Sequence, residues 1–102
     1  MKVIVVGAGE VGTYVADRLN RQHDVSLMEK NQERFNQIER DNSLDVLTIL
    51  GSGTDPDALK RAGVEEADLL VAVTKNDDAN LLAALLAKQA GVKRTVVRVE
   101  SR

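Results

Sequence analysis

The chain has 102 residues, a formal net charge of −2 and 43% hydrophobic residues, with Tyr14 and Phe35 as its only aromatic rings. That length suits one domain with an aliphatic core and is small for a two-lobed enzyme. Charges of both signs are interspersed, so there is no basic footprint for nucleic acid, and aromatic platforms for single-stranded bases are missing. Zero cysteines exclude a disulfide, a thiolate nucleophile and a Cys-ligated zinc, and they fit a cytoplasmic protein. No run approaches the ~20 apolar residues of a membrane span, and Met1 leads straight into a strand pattern instead of a signal peptide.

The first pattern organises the rest. Lys2 to Val6 is a β-branched run of the kind buried on both faces of a parallel sheet. Gly7, Gly9 and Gly12 follow at once with the G-x-G-x-x-G spacing of a dinucleotide-binding turn. Gly7 allows the turn off the strand, Gly9 lets a pyrophosphate approach the main chain, and Gly12 lets the next helix pack close. The helix N-terminus presents free N–H groups and the positive end of its dipole. Val11, Val15 and Leu19, flanked by Tyr14 and Ala16, predict the inward face of that helix. A second strand, Val25 to Met28, ends in Glu29, which lies 17 residues after Gly12. That is close to the ~20 expected of an acid that binds the adenosine ribose hydroxyls. A carboxylate there favours NAD over NADP because it repels a 2′-phosphate; the neighbouring Lys30 pulls the other way.

Strand and helix patterns then alternate, as in a sheet with helices on both faces. Asn31 predicts the cap of a helix running to about Asp41, with Phe35 and Ile38 inward and a solvated charged face over Asn36 to Asn42. Asp45 to Leu50 is a third strand ending in Gly51-Ser52-Gly53, a turn that is either one wall of an adenine pocket or a plain connection. Asp55 and Pro56 start a short helix, with Leu59 and Ala62 inward and Gly63 as its stop. Asp68 to Val73 is a fourth, central strand with Thr74 to Asp78 as its exit loop. A leucine-rich helix from about Asp78 to Ala90 is closed by Gly91. Its apolar residues wrap more than one face, so the second face is a candidate subunit contact. Thr95 to Val99 is the last strand. The crossover rule gives an all-parallel, three-layer Rossmann-like α/β sheet of order 3-2-1-4-5, one domain over residues 1–102. A bare edge at strand five points to a longer chain or a second copy.

Catalytic groups are harder to find. His23, the only histidine, precedes strand two at the N-terminal edge of the sheet, away from the expected cofactor. Asp77 and Asp78 read as acids favouring a helix N-terminus. No Ser–His–Asp set, metal-ligand cluster or P-loop lysine is present. The residues supply binding groups and no catalytic ones.

Taken together, Val3–Gly12, the acid after strand two, Gly51–Pro56, Leu59–Lys88 and the closing strand with Arg98 resemble the N-terminal RCK domain of Trk and Ktr potassium-uptake regulators. The resemblance covers essentially the whole chain. It implies a cytoplasmic, non-enzymatic gating subunit that binds NAD(H), or ADP and ATP in some members. Such subunits assemble as dimers into a ring on a membrane-embedded potassium transporter or channel. It also implies residue roles: Gly7, Ala8, Gly9, Glu10 and Val11 on the phosphate loop, Glu29 on the ribose, Thr74 and Lys75 beside the nucleotide, and Arg98 near it. Two departures stand out. Glu10 lies where ATP readers tend to carry a basic residue, which leaves NAD(H) ahead. Ser52 replaces a common aspartate on the adenine side. The chain stops before the last strand and helices of a full RCK N-lobe. The alternatives are the cofactor-binding half of an NAD-dependent dehydrogenase and an interaction domain without a ligand.

Overall fold

The computed structural model describes residues 1–41 and 44–100. Five strands alternate with four α-helices: β1 (Lys2–Val6), α1 (Glu10–Leu19), β2 (Asp24–Glu29), α2 (Gln32–Arg40), β3 (Leu47–Leu50), α3 (Pro56–Arg61), β4 (Leu69–Ala72), α4 (Asp77–Gln89) and β5 (Arg94–Val97). The strands form one sheet in the order β3-β2-β1-β4-β5, and all four pairings are parallel. This is the expected Rossmann-like architecture. A single 3₁₀ turn, Val64–Glu66, was not expected from the sequence; it follows Gly63, whose φ of 91° ends α3.

The period-2 alternation of a strand divides the core. Val3 and Val5 of β1, with Val25, Leu27 and Val71, face Ala16 of α1 and Ile38 of α2. Ile4 and Val6, with Met28, Leu70 and Ala72, face Ala58 and Leu59 of α3 and Ala83 and Ala87 of α4. Both faces of β1 are therefore buried, which is why its sequence is a continuous apolar run.

Local chemistry sets the helix ends where the sequence indicated. Asn31 Oδ1 accepts from the Arg34 amide, and Asp55 Oδ1 accepts from the Asp57 amide with Pro56 beside it. Gly91, with φ 105°, closes α4. Asn42, part of the predicted charged helix face, lies outside the described residues; over Asn36–Asp41 that face is exposed except for the buried Ile38.

The inward face of α1 differs from expectation. Gly12 and Ala16 are its buried residues, Val15 and Leu19 are half-buried, and Val11 and Tyr14 are 42% and 60% exposed. The reason is distance. A Cβ built on Gly12 would lie 1.6 Å from the Gly7 carbonyl oxygen, so the helix meets the turn along its smallest residues and Val11 rotates outward. Tyr14 instead stacks under the Arg18 guanidinium. On α4, Leu81, Leu82 and Leu85 stay exposed, as do Val96 and Val99 at the β5 edge.

Candidate functional site

Parallel strands all end at one rim, and in open α/β sheets ligands bind outside it. Here the rim is a cavity of about 730 Å³, within the usual range for small-molecule sites. Its floor is the β1–α1 turn from Gly7 to Val11. One wall is Glu29, Lys30 and Arg34; another is Gly51 to Thr54; the far side is Thr74, Lys75, Asn76 and Arg98. Its charged residues are the cations Lys30, Arg34, Lys75 and Arg98 and the acids Glu10 and Glu29, an excess of two positive charges in a chain of net charge −2. Such a site suits an anion.

The three glycines of the turn occupy different environments. Gly7 has φ 104°, and an added Cβ would strike Thr74 at 2.9 Å. Gly12 has no room at all. Around Gly9 nothing lies within 4 Å, so its open side faces space that a ligand could fill. The amides of Gly9, Glu10, Val11 and Gly12 have no acceptor among the described residues; the first helical bond runs from the Thr13 amide to the Gly9 carbonyl. Four orphan donors at a helix N-terminus form an anion cradle.

The Ala8 amide, by contrast, is already engaged. It donates to Glu29 Oε1 at 2.9 Å, and the Asn31 amide donates to Glu29 Oε2 at 2.9 Å. On the sequence alone, Glu29→Ala is expected to weaken NADH more than ribose-free phosphate compounds. The structure gives the carboxylate a second task, holding the turn, while each oxygen keeps a lone pair free for a hydroxyl. The expected result of Glu29→Ala is therefore weaker binding of both classes, roughly tenfold for inorganic pyrophosphate and a further several-fold for NADH, which also loses the ribose contact; titration calorimetry with the two ligands checks it, and equal losses would count against the ribose role.

The far wall is held by a residue that the sequence reading missed. Asn80, fully buried on α4, uses all its hydrogen-bonding capacity. Its Oδ1 accepts from the Thr74 amide at 3.0 Å and from Thr74 Oγ1 at 2.6 Å; its Nδ2 donates to the Thr74 and Arg98 carbonyls at 3.0 and 2.9 Å. The exit of β4 and the end of β5 are thus tied to one side chain. Its signal was an amide inside an otherwise apolar helix. Arg34 was also missed; it sits on the first turn of α2, where side chains lean back toward the helix start and here reach the rim.

Every residue singled out for the site lines this cavity: Gly7, Ala8, Gly9, Glu10, Val11, Glu29, Lys30, Ser52, Thr74, Lys75 and Arg98. The Gly51-Ser52-Gly53 turn is a wall of it, although the Ser52 hydroxyl is bonded within its own turn to Thr54 Oγ1 at 2.7 Å. Arg98 pairs with Glu100. His23 lies at the opposite edge, beside the N-terminal amine.

A glycine turn, an orphan-amide helix end and an acid at the tip of the second strand, set on a 3-2-1-4-5 sheet, define a Rossmann-type nucleotide-binding domain. The family model of the TrkA-N domain matches residues 3–102, and the chain belongs to that family. It is 46% identical over 101 residues to a Trk system potassium uptake protein TrkA homolog of Archaeoglobus fulgidus, covering 99% of this chain and 22% of that protein. It is 41% identical to the TrkA homolog of Pyrococcus abyssi over 97% of this chain and 44% of that one. The chain thus spans less than half of either relative. Among solved structures, the TrkA-N domain of inner membrane protein ybaL from Escherichia coli aligns over 94% of this chain and 86% of its own at TM-score 0.63 and 16% identity. A short-chain dehydrogenase/reductase from Veillonella parvula, in complex with NADP, aligns over 94% of this chain and 46% of its own at TM-score 0.67 and 16% identity. At such identities these two likenesses concern the fold.

Proposed function

We propose that the chain is the nucleotide-sensing domain of a regulator of potassium uptake and that NAD(H) is the ligand its residues favour. The observation that carries this reading is the open Gly9 and the four amides from Gly9 to Gly12, unpartnered among the described residues, with Glu29 on the same rim. A diphosphate suits the amides and the cationic walls, and ribose hydroxyls suit the carboxylate. ADP and ATP share the adenosine diphosphate half and compete for the same cavity; Glu10 on the rim disfavours a third phosphate. The names of the relatives support a role in potassium transport, with a membrane potassium transporter as partner and a cytoplasmic position beside it. No helix among the described residues is long and apolar enough to cross a membrane. The exposed leucines of α4 support homo-oligomer assembly.

Regulation of this kind needs a ligand that binds two arrangements unequally. Thr74 and Arg98 line the cavity and hang on Asn80, which adjoins the exposed Leu81, so the nucleotide wall and the outer face of α4 share one hub. In the alternative reading, the cofactor-binding half of an NAD-dependent dehydrogenase, the acid or base at the nicotinamide would come from outside this chain; His23 lies at the opposite edge.

Titration calorimetry with NADH, NAD, ADP and ATP tests the proposal: NADH or NAD is expected to bind more tightly than ATP, and no binding by any of them at millimolar concentration would overturn it. Gly9→Val supplies a control for the site. With open space around it and φ −79°, the new side chain fits the fold, so Tm is expected to fall by no more than about 5 °C while nucleotide affinity falls at least about tenfold.

A further inference from the structure

Arg34 spends its Nε on the main chain of the phosphate turn. It donates to the Ala8 carbonyl at 2.6 Å across 26 residues of sequence, while Nη1 donates to Gln37 at 3.2 Å. Among the described residues the ion pairs do not include Arg34. The same Ala8 gives its amide to Glu29 at 2.9 Å. Two consecutive peptide groups are therefore fixed, one by an anion and one by a cation, and Ala8 is completely buried between them. A trans peptide points its carbonyl and the following N–H to opposite sides. Holding the Ala8 carbonyl thus sets the direction of the Gly9 N–H, the first of the orphan donors.

We propose that Arg34 is a positioning residue for diphosphate recognition: with Glu29 it clamps Ala8, so that the Gly9–Gly12 amides are aimed before a ligand arrives. This rests on the reading of the turn as a phosphate cradle. Preorganised donors cost nothing to orient at binding, whereas a loose turn must be ordered first. The clamp also joins the ribose corner to the phosphate corner, because Glu29 serves both. Arg34 is half-buried on α2 and belongs to neither core cluster, so its replacement leaves the core intact.

The test uses Arg34→Met, which keeps the stem and removes the donors, and Arg34→Lys, whose ammonium can reach the same carbonyl. Affinities for NADH are measured by calorimetry, and those for inorganic pyrophosphate by competition; amide spectra are taken of the ligand-free chain. Arg34→Met is expected to weaken both ligands about tenfold, and to shift the Gly9 amide resonance and speed its hydrogen exchange without ligand. Arg34→Lys is expected to recover most of each. Unchanged affinity in Arg34→Met, or a loss that leaves the ligand-free Gly9 amide undisturbed and is not recovered by Arg34→Lys, would overturn the inference; the second result means direct contact of the guanidinium with phosphate. A wild-type chain that binds neither ligand would overturn the proposed function and this inference with it, whereas a wild type that binds alongside an equally tight Arg34→Met sinks the inference alone.

Discussion

Gly12→Ala is expected to be the most damaging single-methyl substitution in the chain. The added carbon would sit 1.6 Å from the Gly7 oxygen and 2.8 Å from the Gly7 carbonyl carbon, both backbone atoms that no rotamer change can move aside. Either the turn or the whole of α1 must retreat by more than an ångström. Retreat of α1 opens the packing of Ala16 against Val3 and Val5; retreat of the turn breaks the Gly7 amide bond to the Met28 carbonyl at 2.8 Å. Overpacking usually costs 1–3 kcal/mol, and a backbone clash this severe is expected to cost about 4 kcal/mol or more, a large share of the 5–15 kcal/mol that holds a domain together. Thermal unfolding should register a fall in Tm of about 15 °C or more, with nucleotide binding lost because the cradle itself moves. The contrast with Gly9 is the diagnostic: two glycines three residues apart, one whose methyl has no room and one whose side chain touches only the ligand's space.

Asn80→Ala is the second large effect. It leaves the Thr74 amide and the Thr74 and Arg98 carbonyls without their partner, at ~1–3 kcal/mol for each group that water cannot reach. The expected loss is about 3 kcal/mol in stability, measured by urea unfolding. The Thr74 loop should also loosen, so nucleotide affinity falls even though Asn80 does not line the cavity. Asn80→Asp is more informative. It keeps the acceptor for Thr74 but turns a charged oxygen toward two carbonyl oxygens, which raises the new carboxyl's folded-state pKa above its unfolded value near ~3.9. Folding then takes up protons, so the stability of the variant relative to wild type is best at low pH and is lost as pH rises through the folded pKa. Unfolding at pH 4 and pH 7 should show the smaller deficit at pH 4.

These two positions also mark what the sequence could and could not disclose. Strand order followed from alternation and the crossover rule, and the glycine spacing and Glu29 located the rim, because such features are local: a period, a turn, a strand end. The inward face of α1 was misplaced at Val11 because a hydrophobic pattern reports side-chain volume and not how closely two backbones approach. Gly12 was read from the glycine spacing as permitting close packing and Ala16 only as flanking the face; with so little side-chain volume, neither moved the predicted face off Val11. Arg34 and Asn80 were missed for another reason. Their partners lie in other elements, 26 residues away at Ala8 and 18 at Arg98, and a single sequence holds no record of such pairings. Only their placement hinted at them: a cation in the first turn of the helix after Glu29, and an amide among leucines.

The central claim is that the β1–α1 turn receives a nucleotide diphosphate on its free amides while Glu29 takes the sugar. An amide-resolved NMR titration of the 102-residue chain with NADH tests it most directly. The account predicts saturable shifts concentrated at Gly9 to Gly12, with smaller ones at Ala8, Asn31 and Thr74. Saturable shifts that leave that turn untouched and map to the N-terminal edge around His23, or no shifts with NADH in millimolar excess, would contradict it.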